Sequence, residues 1–206
     1  MISLRNGTSR RSLIVVAAIA AMAGAPALTG CGSALAGKAV MMDGYSISES
    51  DLNKQVQEIL AAQGRNPDTA SQALVITTLD RMITINLVEA VALDNDVEAS
   101  QGEIDAALAA YEEQAGGAQA FEDSLVGQDI APQQIEAIMR LNILANRLGG
   151  ALDPAGSPES QSVALQQAVV AKSNELGTEV SPRYGTWEGA TLQVGPPLND
   201  LSIPLS

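Results

Sequence analysis

One long apolar segment most constrains the fold of this chain. From about residue 69 to residue 93, apolar residues recur at helical spacing and form a face too wide for a surface helix: Val75, Ile76, Leu79, Met82, Ile83, Leu87, Ala90 and Val91. A helix that is apolar around so much of its circumference is normally buried at the centre of a domain. The segment therefore predicts a helical domain built around one central helix.

Capping residues indicate where other helices begin. A serine stands three residues before an acidic residue at two places, which is the spacing of a capping box: Ser48 with Asp51, and Ser100 with Glu103. Pro132 suits a first helical position, where its missing N–H is tolerated. A last helical pattern over residues 159–176 places Val163 and Val169 inward. These signals predict a mainly α fold of about six helices.

Turn and breaker residues divide the rest of the chain. Asp43-Gly44 follows the apolar run Ala39–Met42 and predicts a small strand and a turn. Gly149-Gly150 predicts a helix end and a linker over residues 149–158. Residues 179–187 read as extended and complete a small pair of terminal strands. The predicted domain spans residues 38–188, and residues 189–206 are predicted to be a poorly ordered Gly/Pro tail.

The N-terminal residues have the pattern of an export signal. Three arginines and no acidic residue precede the apolar run Leu13–Ala25, and small residues follow it. The run is shorter than the roughly 20 residues that a membrane span requires. Residues 1–30 are therefore predicted to be a signal peptide. Arg10-Arg11 also resembles a twin-arginine signal, although two ordinary cations of a general secretory signal are favoured.

The only cysteine of the chain directly follows this signal. Leu28, Thr29, Gly30 and Cys31 match the lipobox of bacterial lipoproteins, in which the cysteine thiol receives diacylglycerol and its amine a fatty acid such as palmitate. The prediction is a lipoprotein held on the extracytoplasmic face of the cell membrane, with residues 31–37 as a tether. The alternative is a soluble secreted protein cleaved near Ala27 or Ala36.

Charge and composition exclude several classes of function. Residues 1–30 hold three of the eleven basic residues and none of the 24 acidic ones, so the remainder carries eight against 24, a net charge of −16. Such a surface repels nucleic acids. The chain has no histidine, so it lacks the commonest general base and metal ligand. We expect no metal, no cofactor and no enzymatic activity, and we interpret the carboxylate clusters at residues 94–98 and 112–113 as solvated surfaces.

Four segments resemble one known family. They are Val40–Leu52, with its strand, Asp-Gly turn and Ser-x-x-Asp-Leu helix start, Asp96–Ile104, Gly127–Ile135, and Val180–Trp187, with its Pro-Arg-Tyr-Gly-x-Trp ending. In order and spacing they resemble the SurA N-terminal chaperone family, in the form found in actinobacteria. The resemblance covers roughly residues 38–188.

The resemblance implies an ATP-independent chaperone, a holdase, whose partners are unfolded exported polypeptides. Isomerase-bearing members insert a parvulin domain before the last helix, whereas this chain has only the predicted linker there and no histidine. Prolyl isomerase activity is therefore not expected. Two alternatives remain: a dedicated helical subunit of one cell-envelope complex and, less favoured, an isomerase-related enzyme. The sequence does not distinguish monomer from dimer.

Two groups of residues are candidate sites. The possible client-binding residues are Met41, Met42, Met82 and Tyr111, because methionine adapts to varied partners; the alternative is that Met41 and Met42 fill gaps in the core. The C-terminal motif consists of Pro182, Arg183, Tyr184, Gly185 and Trp187. The resemblance implies that this motif fixes the C-terminal strand onto the N-terminal strand, and the alternative is an interaction hot spot.

Overall fold

A computed structural model describes residues 35–196, and it is mainly helical, as predicted. The predicted signal peptide, the lipobox with Cys31 and the last residues of the predicted tail lie outside the described residues. The elements are β1 Lys38–Met42, β2 Tyr45–Ser48, α1 Glu49–Ala62, α2 Gln72–Asp94, α3 Gln101–Ala115, α4 Ala118–Val126, α5 Ile135–Leu152, α6 Pro158–Glu175, β3 Glu179–Val180, β4 Thr186–Glu188 and β5 Gln193–Gly195. Short 3₁₀ turns occur at Pro67–Thr69 and Pro132–Gln134. The six helices and the short antiparallel strands confirm the predicted fold class.

Helix α2 is the centre of the domain. It contacts α1, α5, α6, β2 and β5, and the side chains of Leu79, Ile83 and Leu87 are fully buried. The prediction of one central helix is confirmed. The helix begins at Gln72, three residues later than predicted, because Ser71 accepts a hydrogen bond from the backbone N–H of Leu74 and caps it.

A three-stranded antiparallel sheet joins the N-terminal strands β1 and β2 to β3, the strand that follows α6. Its strand order is β2-β1-β3, and Val40 of β1 faces Val180 of β3. The predicted Asp43-Gly44 turn connects β1 and β2, and Gly44 has a φ of +75°, which only glycine adopts readily. The small pair of terminal strands is therefore confirmed, with β2 as a third strand.

Helix α3 begins at the predicted capping box. Ser100 Oγ and the Ser100 backbone N–H both donate to the Glu103 carboxylate, at 2.7 and 2.9 Å, and Arg147 of α5 also binds this carboxylate. These hydrogen bonds, with those from Ser100 the strongest, lower the pKa of Glu103 to about 2. A second small core connects α3, α4 and α5, and it consists of Ile104, Phe121, Leu125, Ile130 and Met139.

Helix α5 does not end where the sequence indicated. Gly149 and Gly150 lie inside it, so the linker predicted over residues 149–158 is shorter than predicted. The connection to α6 is Asp153–Ser157. Gly149 is buried against α6, where a Cβ atom would lie 3.2 Å from the Cβ of Gln161. The first glycine thus allows α5 and α6 to approach each other closely. In the sequence alone, a glycine needed for close helix packing looks the same as a glycine that ends a helix.

Helix α6 buries only part of the predicted face. Val169 is buried as predicted, but Val163 is 51% exposed, and Lys172 and Ser173 are buried instead. Lys172 Nζ pairs with Asp94 at the end of α2 and with Glu175 at 2.8 Å, so Asp94 is not merely a solvated residue. Ser173 Oγ accepts a hydrogen bond from Trp187 Nε1 at 2.8 Å. Polar partners, which the apolar pattern does not encode, set the orientation of α6.

The prediction of a disordered tail from residue 189 is wrong for residues 189–196. Strand β5 pairs with β4, and Val194 is buried in the main core. The Val194 backbone N–H donates to Asp80 Oδ1 of α2 at 2.8 Å. Partial burial raises the pKa of Asp80, although the hydrogen bond from Val194 acts in the opposite direction. A carboxylate 114 residues away in sequence therefore holds this hairpin.

Replacing each glycine of α5 with alanine tests the corrected helix boundary. Gly150→Ala should raise the free energy of unfolding by about 0.5–1 kcal/mol, because alanine is the better helix former and no atom lies within 4 Å of the new Cβ. Gly149→Ala should gain less or destabilise, because its Cβ would press on Gln161. Chemical denaturation of both variants measures the difference. Destabilisation by both changes would mean that the helix ends at Gly149 after all.

Replacing Asp80 with alanine tests the attachment of the β4–β5 hairpin. Asp80→Ala should lower the free energy of unfolding by about 1 kcal/mol, because the Val194 N–H loses its acceptor while a partly buried carboxylate is removed. Trp187 is the only tryptophan, and its fluorescence should shift to the red as the hairpin loosens. Glu89→Ala, at an exposed position of the same helix, is the matched control. Equal spectra for the two variants would show that Asp80 does not hold the hairpin.

Candidate functional site

A cleft of about 400 Å³ lies between β2, α1, α2 and the 3₁₀ turn that precedes α5. We call it the Gln134 cleft. Met82 of α2 provides its apolar surface, because Ile47 of β2, which also lines the cleft, is only 3% exposed. The amide side chains of Gln55, Asn86 and Gln133 also line it, together with that of Gln134. Because polar amides lie beside a small apolar surface, the cleft suits a ligand that has both polar and apolar groups.

The side-chain amide of Gln134 has an unsatisfied donor. Gln134 is 7% exposed, and its Oε1 accepts a hydrogen bond from Arg81 Nη1 at 3.3 Å. Its buried Nε2 has no hydrogen-bond partner among residues 35–196. A guanidinium has only donors, so the amide oxygen must face Arg81 and the nitrogen must face away. A buried donor without an acceptor costs about 1–3 kcal/mol, which makes this group exceptional within the described residues.

A polar network holds the 3₁₀ turn in place. Arg81 Nη1 also donates to the backbone oxygen of Asp129 at 2.6 Å. Gln63 Nε2 at the end of α1 donates to Asp129 Oδ1 at 2.7 Å and to the backbone oxygen of Val126 at 3.1 Å. Burial lowers the pKa of Arg81, opposed by the nearby charge of Asp129, and the guanidinium remains protonated. The network fixes the direction in which Gln134 points.

Sequence reasoning missed both central residues of this network. A signal for Arg81 was present, because Asp80-Arg81 is a charged pair inside the most apolar helix, and buried charges require partners. No comparable signal marked Gln134, since one glutamine near a helix start is unremarkable in sequence. The side-chain nitrogen of Gln134 lacks a hydrogen-bond partner only because of where Arg81 and the other residues around the cleft lie.

The charged residues of the cleft are weakly acidic in sum. Asp51 accepts a hydrogen bond from Ser48 Oγ at 2.6 Å in the cap of α1. Lys54 pairs with Glu58 at 3.9 Å on the same helix. Two carboxylates and one ammonium group leave one net negative charge. The cleft therefore disfavours an anionic ligand and accepts a neutral or basic one.

The four predicted client-binding residues do not form one surface. Met82 lies in the Gln134 cleft, and Met41 is partly buried in β1. Met42 is 4% exposed and belongs to the main core, so its prediction as a contact surface is wrong. Tyr111 is 42% exposed and stacks on Phe121, with ring centroids 5.9 Å apart, beside the second small core.

The C-terminal motif contacts the N-terminal part of the domain. Arg183 Nη1 lies 2.7 Å from Glu49 Oε2 of α1, and its guanidinium lies 5.7 Å from the Tyr184 ring centroid. Gly185 has a φ of +142°, and a Cβ there would collide with the backbone oxygen of Gly195. Pro182 is exposed in the turn after β3, and Trp187 reaches Ser173 as described above. These contacts join β3, β4 and the start of α1.

A second cleft of about 370 Å³ lies between the end of α2 and α5, and we call it the Leu93 cleft. Leu93 is 71% exposed, and Val97 and Leu144 lie beside it. Arg140 of α5 borders the cleft and donates to the backbone oxygen of Ala99 at 3.3 Å. This surface is more apolar than the Gln134 cleft, and no buried polar side-chain atom of it lacks a partner in the described part of the protein.

Neither a membrane-spanning helix nor a metal-binding cluster occurs in the described part of the protein. Between residues 35 and 196, no helix has the length and apolar character needed to cross a membrane. Within the same residues, no three histidine, cysteine, aspartate or glutamate side chains converge as metal ligands would.

Comparison with known proteins identifies the family. The SurA-like N-terminal domain matches residues 1–149, which is more than half of the chain. No curated protein and no solved structure gives a significant match. The matched region ends inside α5, so α6 and the C-terminal strands lie beyond it. The chain belongs to the family of SurA-like N-terminal domains, which are chaperone-type modules.

Proposed function

We propose that this protein is a lipid-anchored, ATP-independent holdase that protects unfolded exported polypeptides. The family match over residues 1–149 carries the proposal. Binding is reversible and non-covalent, in clefts between helices. The net charge of −16 beyond residue 30 supports it further, because a strongly charged chaperone keeps its complexes with apolar clients soluble.

The anchor is the second part of the proposal. Leu28, Thr29 and Gly30 precede the only cysteine, Cys31, directly after an apolar signal. The same negative charge repels anionic lipid headgroups, so membrane binding must come from acyl groups. Two or three such groups give stable attachment, whereas one alone is marginal. We propose that this anchor holds the domain on the extracytoplasmic face of the membrane.

The absence of isomerase activity is also part of the proposal. The connection between α5 and α6 is Asp153–Ser157, which is too short to contain a parvulin domain. The sequence has no histidine for such an active site. The Pro-Arg-Tyr-Gly-x-Trp motif at residues 182–187 supports the actinobacterial form of the family.

One observation favours a second candidate function, a dedicated subunit of one cell-envelope complex. Leu93 is 71% exposed in a cleft with both apolar and charged lining residues, and such a mixed surface suits a single folded partner. Photo-crosslinking from position 93 in the native membrane separates the two functions. A holdase should capture many unrelated exported proteins, whereas a subunit should capture one stoichiometric partner.

Holdase activity is testable directly. The purified protein should suppress the aggregation of several unrelated unfolded clients at about equimolar ratio without ATP, because it covers their exposed apolar segments. Light scattering measures aggregation, and a non-chaperone protein of similar charge is the control. Failure with every client would contradict the proposal.

Lipidation is testable at Cys31. In cells given an alkyne-tagged fatty acid, the wild-type protein should be labelled, and mass spectrometry should find a diacylglyceryl group on an N-terminal Cys31. Cys31→Ala should remain unlabelled, because it lacks the thiol that receives the lipid. A labelled alanine variant, or a wild-type protein cleaved near Ala27 or Ala36, would show that the anchor is not at Cys31.

A further inference from the structure

We infer that the Gln134 cleft binds one extended client segment through its main chain, with Gln134 Nε2 donating a hydrogen bond to a backbone carbonyl of that segment. The inference rests on the proposed function and names the binding site and the ligand chemistry. Four observations on the cleft support it: an unsatisfied donor, complementary amides, an edge strand and the sign of the charge.

The unsatisfied donor indicates what the ligand must supply. Arg81 holds Gln134 Oε1, so the buried NH₂ group cannot exchange places with the oxygen. Among the described residues no acceptor reaches it. Because this nitrogen is buried in the ligand-free protein, a ligand oxygen reaches it only when side chains that line the cleft move aside, and the oxygen then satisfies a donor that the protein leaves without a partner.

The neighbouring amides suit a peptide unit rather than a lone oxygen. Asn86 Nδ2 donates to the backbone oxygen of Met82 at 2.9 Å, so the amide oxygen of Asn86 is its remaining acceptor. Gln55 and Gln133 in the same cleft each offer a donor and an acceptor. Backbone carbonyl and N–H groups alternate along an extended peptide, and this lining can pair with both.

Strand β2 adds a wall with backbone hydrogen-bonding capacity. It is an edge strand of the β2-β1-β3 sheet, and within residues 35–196 no strand pairs with its outer side. Its residues Ser46 and Ile47 line the cleft. Edge strands accept extended peptides as additional strands, so the wall favours an extended client over a helical one.

Charge and shape exclude other occupants. Asp51 and Glu58 outweigh Lys54, so a phosphate or carboxylate is disfavoured, and a neutral peptide carbonyl is the acceptor that fits. Met82, which is partly exposed, accommodates apolar side chains of varied shape. Because the main chain is recognised, binding should tolerate changes of client sequence.

The test uses Gln134→Glu in the full-length protein. The new carboxylate keeps an oxygen for Arg81 but replaces the NH₂ donor with an acceptor that repels a carbonyl. The probe is a carboxamidomethylated, permanently unfolded polypeptide with a fluorescent label, and anisotropy measures its Kd. We expect the affinity to fall about 3- to 10-fold, the range of one hydrogen bond, with thermal stability maintained by the Arg81 pair.

Gln57→Glu is the matched control, because Gln57 is exposed on α1, a helix that borders the cleft, and is not among the residues that line it. It introduces the same charge without touching the buried donor, so its effect should be below about twofold. Equal losses in both variants would attribute the effect to charge and overturn the hydrogen bond. Unchanged binding by Gln134→Glu, with strong binding by the wild type, would overturn the site but leave the holdase function. If the wild type binds no unfolded polypeptide, the function itself fails.

Two further measurements keep the inference falsifiable if Gln134→Glu is unstable. In the wild-type protein, the side-chain amide proton signal of Gln134 should shift downfield when the probe is added, and a static signal at saturation would overturn the assignment. Removing residues 197–206 should leave the Kd unchanged. A tenfold gain in affinity would mean that the protein's own C-terminal segment fills the cleft, which would also overturn the inference.

Discussion

The burial of α2 on nearly all sides is the constraint on which the rest of the structure depends. Leu79, Ile83 and Leu87 are removed from water by α1 and by helices α5 and α6, and the β4–β5 hairpin covers a further side. With two percent aromatic residues and one cysteine, the protein has few large rings and no intramolecular disulfide to add stability. Aliphatic packing around a single helix therefore carries the hydrophobic free energy of the fold.

The charged residues of α2 organise what packs around it. Asp80 holds Val194 of β5, Arg81 holds Asp129 and Gln134, and Asp94 pairs with Lys172 of α6. Each of these groups is at least partly removed from water, so each requires a partner. These partners lie on segments distant in sequence. The apolar surface of α2 provides the hydrophobic packing. Its few charged side chains determine which segment packs at each position along the helix.

The Gln134 cleft joins this organisation to function. The family provides a chaperone-type module, and the proposed binding mode would let such a module recognise a client without reading its sequence. Side-chain amides can form hydrogen bonds with a peptide backbone, and methionine accepts side chains of different shapes. The absence of histidine is compatible with a function that only binds. The same network that stabilises the α4–α5 connection also keeps the Gln134 donor oriented.

The sequence alone determined the helical class, the helix starts at Ser48 and Ser100 and the Asp43-Gly44 turn, because capping, turn geometry and periodicity are local properties. Only the tertiary structure decided that α5 continues through Gly149, that α6 turns Ser173 inward, and that β5 is ordered. Each of these depends on a partner in another element: Gln161 of α6, Trp187 of β4 and Asp80 of α2. The candidate site belongs to the second group. Gln134 becomes a donor without a partner only because Arg81, 53 positions earlier, occupies its oxygen, and no local pattern encodes such a contact.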